Sequence, residues 1–291
     1  MKVMITGAGG QVGRELQRMA PAHAQLTALD RSQLDITDGP ALERTIGKLQ
    51  PDLIINTAAY TAVDLAEQQP ELAFAVNARG AGNVAAAAAR VDARMIHIST
   101  DYIFDGRTSI PYGPDAVPAP LSVYGRSKLE GEHAVLAAAE KQALILRTSW
   151  LYATHGRNFL RTMLGLMETR DEIRVVADQV GTPTWAGSLA GAIWQLSAHS
   201  GHSGAWHWTD AGVASWYDFS VAILEEARAL GMIHRPVRIT PISSNEYPTA
   251  AMRPAFSVLD KRSTCTLLGT EPEHWRVTLR QALAGCAKNA T

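Results

Sequence analysis

Residues 2–16 read KVMITGAGGQVGREL, and this stretch decides the fold. Lys2 to Thr6 is a short apolar run that breaks directly into Gly7, with Gly10 and Gly13 following at three-residue spacing. The pattern predicts strand, glycine turn, helix. Gly7 permits the tight turn, Gly10 leaves room for a pyrophosphate, and Gly13 lets the helix lie close on the strand. Unpaired N–H groups and the positive end of the dipole at such a helix start favour an anion. The G-x-x-G-x-x-G spacing is one residue longer than the form usual in alcohol-type dehydrogenases. A second strand, Leu26 to Leu29, ends in Asp30, placed to accept the hydroxyls of an adenosine ribose. Arg31 beside it is suited to a 2′-phosphate, so both NADH and NADPH stay open as cofactors.

Outward from this unit, strands alternate with helices. Leu53 to Asn56 follows a helix opened by Asp38 and Pro40. Pro70 starts a long helix running to Val91, Arg94 to Ser99 reads as a buried strand, and Ala143 to Thr148 as the sixth. Repeated βαβ units predict an α/β fold with a doubly wound parallel sheet of the Rossmann kind. After Trp150 the composition shifts toward Trp, His and Gly. Residues 1–150 are therefore expected to form a dinucleotide-binding domain. Residues 151–291 should form mainly a smaller C-terminal α/β substrate lobe, with segments returning to the first domain. Between Asp101 and Leu121 runs a loop of Gly, Pro and Asp residues, longer than a plain connection and of the kind that lines active sites.

The chemistry is carried by LSVYGRSKLEGE, residues 121–132. Tyr124 and Lys128 stand four apart, so they share a helix face, and the ammonium is expected to favour the Tyr124 phenolate. A tyrosine with a lowered pKa is a usable proton donor near neutrality, where an unperturbed one, at about 10, is not. The strand from Arg94 delivers Ser99, Thr100 and Asp101 just past its C-terminal end, where open parallel sheets bind ligands. A hydroxyl there can hold a substrate oxygen together with the Tyr124 phenol.

The glycine loop, the strand-end hydroxyl and the Tyr124/Lys128 pair resemble the extended short-chain dehydrogenase/reductase superfamily. Within it, GAGGQVGREL (7–16), NTAAYTAVD (56–64), STDYIFDG (99–106), RTSWLY (147–152) and RPAFSVLD (253–260) are similar to segments of the dTDP-4-dehydrorhamnose reductases. The resemblance spans nearly the whole chain. It implies NAD(P)H-dependent reduction of the C4 ketone of a dTDP-linked 6-deoxy-hexulose to dTDP-L-rhamnose. Tyr124 would be the proton donor and Lys128 would also hydrogen-bond the nicotinamide ribose. Thr100 would orient the ketone, Asp101 would bind the sugar with it, and Trp150 would line the sugar pocket. Gly10, Gln11, Val12, Asp30, Asp35, Ile36, Ala59, Tyr60 and Thr61, with Ala58 in the same segment, match positions that contact the dinucleotide, mostly through backbone groups. Some members carry Mg2+ between subunits on acidic side chains. Glu15 matches one of these, but Ser188 stands where glutamate is expected, so bound Mg2+ is not expected and monomer and homodimer both stay open.

The remaining residues add candidates and exclusions. Arg253, with Arg147, Arg157 and Arg161 behind it, is suited to a substrate diphosphate. Trp185, Trp206, Trp208 and Tyr247 are candidates to stack on a base or sugar, although each is more often a core residue. Among 291 residues the net charge is −1, with no basic stripe, which argues against nucleic acid. Cys265 and Cys286 match no metal or redox spacing and read as free thiols. His199, His202 and His207 lack the acids or cysteines of a zinc site. No apolar run approaches a membrane span of about 20 residues, and a cytoplasmic enzyme is expected. The sequon at residues 289–291 has no meaning in such a chain.

Three other functions compete. A nucleotide-sugar 4,6-dehydratase needs an acid–base pair after the threonine, and here the second place is Tyr102. An epimerase, or an epimerase-reductase using an extra Cys and His, shares Tyr124 and Lys128, but neither cysteine lies near the active-site segments. The third is a non-catalytic NAD(P)-binding regulatory subunit of the same fold, against which the retention of Tyr124, Lys128 and Thr100 counts.

Overall fold

A computed structural model describes residues 1–288; the sequon at 289–291 and the Cys286 side chain lie outside the described residues. The N-terminal unit forms as its glycines dictate. Strand β1 (Lys2–Thr6) is buried from Val3 onward and ends in Gly7, whose φ of +72° only glycine adopts without strain. A Cβ on Gly7 would lie 2.6 Å from the Ala58 backbone nitrogen. One on Gly13, in helix α1 (Gln11–Arg18), would lie 2.5 Å from the Gly7 carbonyl, so the helix presses directly on the turn.

Strands β2 (Gln25–Leu29), β3 (Leu53–Asn56), β4 (Arg94–Thr100) and β5 (Ala143–Thr148) complete the first half. The Gly204–His207 strand joins them, and the sheet runs Gly204–His207, β5, β4, β3, β1, β2, parallel throughout. This is a doubly wound, Rossmann-like sheet. Chain order reverses between β1 and β3, and that switch point opens the crevice in which such sheets bind ligands. The β3 and β5 strands are buried at every position, as a sheet covered on both faces requires. Helix α2 (Gly39–Leu49) is capped as expected, Asp38 accepting from the Ala41 N–H at 3.0 Å with Pro40 in the first turn.

Four local expectations need correction. Ala143–Thr148 is the fifth strand of the sheet and the sixth comes from residues 204–207, whose pairing partner no local pattern announces. Strand β4 continues through Thr100, so Ser99 and Thr100 lie within it. The helix from Pro70 ends at Arg90 and holds a π-turn at Ala75–Gly80. The wider turn carries Asn77, which accepts from the Tyr60 N–H at 2.8 Å and donates to Ser127 Oγ at 2.9 Å. A π-turn of this kind marks a functional position more often than a defect, and here it ties the Tyr60 loop to the Tyr124 helix. The 101–121 loop opens with a 3-10 turn at Asp101–Ile103, and Tyr112 bridges to Leu259.

Residues after 150 divide between two places. The Ala186–Ala198 helix packs beside α1 on one face of the sheet, with Trp194 Nε1 donating to the Leu16 carbonyl at 3.1 Å. A separate apolar cluster gathers Tyr152, Leu160, Phe219, Ile223, Trp275 and Leu279 under helices Phe159–Thr169 and Trp216–Ala229. No helix among the described residues is long and apolar enough to cross a membrane.

Candidate active site

Two adjoining clefts lie at the C-terminal edge of the sheet and share Gly10, Thr57 and Ala59. The first, about 450 Å³, is walled by Gly7, Gly10, Asp30, Arg31, Asp35, Ile36, Ala58, Ala59 and Tyr60. The second, about 390 Å³, takes Gln11, Val12, Thr61, Thr100, Asp101, Tyr124, Lys128 and Trp150. Of the residues singled out as contacts, Gly13 and Arg253 reach neither wall. Gly13 serves packing, as the 2.5 Å approach to Gly7 requires. Arg253 sits behind Tyr102 and is held by Asp64.

Tyr124 is placed by the start of its helix. Ser122 accepts from the Gly125 N–H at 3.1 Å, and Glu67 takes the Val123 N–H at 2.7 Å. A Cβ on Gly125 would lie 2.2 Å from the Tyr102 carbonyl, so the helix start bears directly on the Asp101–Ile103 turn that follows Thr100. The Tyr102 ring meets Tyr124 edge-on, centroids 5.5 Å apart.

The electrostatics correct the expected effect of the Tyr124/Lys128 pair. Burial pushes Tyr124 up to about 12, the Thr100 hydroxyl opposing and the Asp101 carboxylate adding to the rise. Lys128, 2% exposed, is pulled down to about 8 by burial, with Glu132 opposing. Its Nζ donates to the Ile98 carbonyl at 2.7 Å and lies 3.4 Å from His97 Nε2. Spacing on a helix face predicted proximity of phenol and ammonium, but desolvation, invisible in the spacing, dominates both groups.

Asp101 is 2% exposed and burial raises it to about 6, the Ser257 and Thr100 hydroxyls acting against the shift. Among the described residues, neither Asp101 Oδ2 nor Thr148 Oγ1 finds a hydrogen-bond partner. Two orphaned polar atoms on the wall of one cleft suit a polyhydroxylated ligand, since burial without a partner is costly. Thr148, beside Thr100 in the β4–β5 register, was not singled out from sequence. Neither was Trp216, whose ring lies on Trp150 with centroids 3.5 Å apart and planes 1° from parallel. Trp150 adopts a left-handed φ of +45°, and a Cβ on Gly181 would lie 2.5 Å from its ring. No local pattern around Ser215 marks the Trp216 role.

Several other candidates are placed elsewhere. Arg147 is buried in an ion pair with Glu132 at 2.7 Å, and Ser99 donates to the same carboxylate, so neither is free for a ligand. Arg161 is exposed and donates to the Thr154 carbonyl, whereas Arg157 does line the second cleft. Trp208 is a core residue, Trp185 lies over Gly187, Trp206 donates to the Ser203 carbonyl and Tyr247 is exposed away from both clefts.

The sequence pattern of one family, described as the RmlD substrate binding domain, matches residues 1–287. The chain belongs to that family. The dTDP-4-dehydrorhamnose reductase of Aggregatibacter actinomycetemcomitans is 40% identical over 290 residues, covering 97% of this chain and 98% of that one. The enzyme of the same name from Mycolicibacterium smegmatis is 44% identical, covering 97% and 85%. The crystal structure of dTDP-4-dehydrorhamnose reductase from Bacillus anthracis in complex with NADP matches with a TM-score of 0.92 at 37% identity, covering 98% of this chain and 99% of that one. The resemblance read from the motif segments is borne out over nearly the whole chain.

This family member fits a dinucleotide on its own residues. The glycine turn brings backbone to the cleft where side chains would block it, and α1 starts beneath it. Asp30 turns one carboxylate oxygen onto the Ser32 N–H and hydroxyl, at 2.9 and 2.6 Å. Arg31 is largely exposed at the rim and only loosely paired with Asp35 at 3.4 Å. For a cation the fit fails: Glu15 is taken by Arg18 at 2.7 Å and Ser188 by Asp210 at 2.5 Å. Among the described residues no group of three His, Cys, Asp or Glu side chains is placed to hold a metal ion.

Proposed function

We propose that this chain is an NADPH-dependent dTDP-4-dehydrorhamnose reductase, reducing the C4 ketone of dTDP-4-dehydro-6-deoxy-L-mannose to dTDP-L-rhamnose. The observation that carries the reading is the convergence of Thr100, Asp101, Tyr124 and Lys128 on one cleft continuous with the glycine-turn cleft. Full-length similarity to reductases of that name supports the substrate. The rim arginine and the NADP-bound relative support NADPH.

A bound nicotinamide supplies the hydride. The chain's own residues do the rest. Gly7, Gly10 and the start of α1 hold the pyrophosphate, and Arg31 with Ser32 meets the 2′-phosphate. Thr100 donates to the ketone oxygen and orients it toward the Tyr124 hydroxyl. Tyr124, kept protonated by burial, gives its proton to that oxygen as negative charge develops there. Lys128 in its charged form stabilises the phenolate left behind. Asp101 and Thr148 satisfy their free oxygens on sugar hydroxyls, and Trp150, backed by Trp216, presents a flat face to the deoxy-sugar ring.

Following NADPH oxidation with the keto-sugar nucleotide tests the reading. Wild type should turn over, and Tyr124→Phe should lose on the order of a hundredfold or more in kcat while still binding NADPH. Cofactor binding by wild type without oxidation would overturn the proposed reduction.

A further inference from the structure

Lys128 is backed by a row of buried polar side chains. Thr6, Asn56 and His97 occupy matching positions of β1, β3 and β4, Thr6 pairing with Asn56 and Asn56 with His97 in register. None is more than 1% exposed. Thr6 Oγ1 donates to Asn56 Oδ1 at 2.7 Å, Asn56 Nδ2 meets His97 Nδ1 at 3.0 Å, and His97 Nε2 meets Lys128 Nζ at 3.4 Å.

The direction of these bonds follows from one backbone group. The Ala58 N–H donates to Asn56 Oδ1 at 3.2 Å. A backbone N–H only donates, so the Asn56 oxygen is fixed on that side and its amide nitrogen faces His97. Asn56 Nδ2 is then the donor and His97 Nδ1 the acceptor. Burial, with the Lys128 charge adding to it, holds His97 well below the usual histidine range, so the ring is neutral. A neutral imidazole has one ring proton, which the acceptor role of Nδ1 leaves on Nε2, facing Lys128. An ammonium has three donors and no acceptor, so against Nε2–H it meets donor with donor. The free amine offers a lone pair to that proton and still donates to the Ile98 carbonyl.

We propose that His97 is a positioning residue: locked by Asn56 in the Nε2–H tautomer, it biases Lys128 toward the neutral amine and so sets the upper pH limit of turnover. The kinetic part rests on the reductase reading; the tautomer does not. Because the charged form stabilises the Tyr124 phenolate, loss of the Lys128 proton ends turnover on the basic side. Other groups around Lys128 do not explain it. On its own helix stand Tyr124, one turn before, and Glu132, one turn after. Glu132 favours the ammonium but is engaged by Arg147 of β5 and Ser99 of β4. Asp101 and Arg157 share the cleft wall. Among the described residues only Ile98 and His97 lie within hydrogen-bond distance of Nζ.

The direct test is nitrogen NMR of 15N-histidine-labelled protein, with His97→Gln to assign the ring. The expected result is an Nε2–H ring that stays neutral below the ordinary histidine range. An Nδ1–H ring, or titration near the ordinary histidine value, overturns the proposal. The second readout is kcat/KM against pH. In His97→Gln, whose amide oxygen can accept from the ammonium, the basic limb should rise by about one unit or more, the size of a hydrogen bond to a charged group. A slower enzyme with an unmoved limb would reduce His97 to packing and overturn the kinetic role. If His97→Gln does not fold, the isosteric Asn56→Asp, which accepts from Nδ1–H and reverses the tautomer, should move the limb the same way. Should wild type not turn over at all, the reductase reading fails, and the pH dependence of NADPH affinity must then show the same shift or the proposal falls with it.

Discussion

Arg253 grips Asp64 with both arms of its guanidinium, Nη1 to Oδ1 at 3.1 Å and Nη2 to Oδ2 at 2.7 Å. The pair ties the RPAFSVLD segment to the NTAAYTAVD segment across 189 residues of sequence. It also places the guanidinium beside Tyr102, a residue that lines the second cleft, while Arg253 itself reaches neither cleft wall. Arg253→Lys keeps the charge and loses the planar fork. The expected outcome is a several-fold rise in KM for the nucleotide sugar, about 1 kcal/mol transmitted through the displaced Tyr102, with NADPH affinity unchanged. Steady-state kinetics and a cofactor titration check it, and an unmoved KM would remove Arg253 from substrate binding.

Trp216 supports Trp150 through the parallel stack at 3.5 Å. An aromatic pair contributes about 0.5–1.5 kcal/mol beyond its buried area. Trp216→Ala should therefore raise the sugar-nucleotide KM roughly 3- to 10-fold. Gly181→Ala should have a similar effect, since its Cβ would meet the indole edge of Trp150 at 2.5 Å and displace the ring. Comparable KM values for wild type and both variants would show that the stack does not shape the sugar pocket.

Asp101 makes stability depend on pH in a direction opposite to that of an ordinary ion-paired acid. Burial raises its folded pKa from 3.8 to about 6, so the folded state holds the proton more tightly than the unfolded chain. Stability consequently falls as pH rises from about 4 to 6, and the loss is complete above 6, amounting to roughly 3 kcal/mol for a shift of about two units. Asp101→Asn removes this dependence. Thermal unfolding should show the variant more stable than wild type at pH 8 and little different at pH 4, while its kcat/KM falls. Equal melting curves at pH 8 would mean that Asp101 is not strained by its burial.

What was legible in the sequence is what short-range chemistry dictates. Gly7 requires a positive φ, Gly13 a close approach, and Asp38 with Pro40 a helix start, and each is stated by residue type and position. The second cleft was legible in part, because Thr100, Asp101, Tyr124 and Lys128 lie within two short segments whose ends the parallel sheet brings together. Arg147 misled for the same reason that it attracted notice. A guanidinium near the end of a strand suits a diphosphate as well as it suits Glu132, and only burial distinguishes them. Trp216 and Thr148 gave no local signal, since an aromatic ring or a hydroxyl has the same immediate neighbours whether it faces a cleft or a core.

The sequence by itself determined the kind of protein: a glycine turn after a buried strand, the βαβ alternation, and the tyrosine, lysine and threonine of a reductase-like site. These depend on backbone sterics and on residues within a turn or two of one another. Only the tertiary structure decided which strand closes the sheet, which ring lies on Trp150, and in which direction Tyr124, Lys128 and Asp101 are shifted. Those outcomes rest on desolvation and on contacts between residues 30 to 189 positions apart, and neither is a property of local sequence.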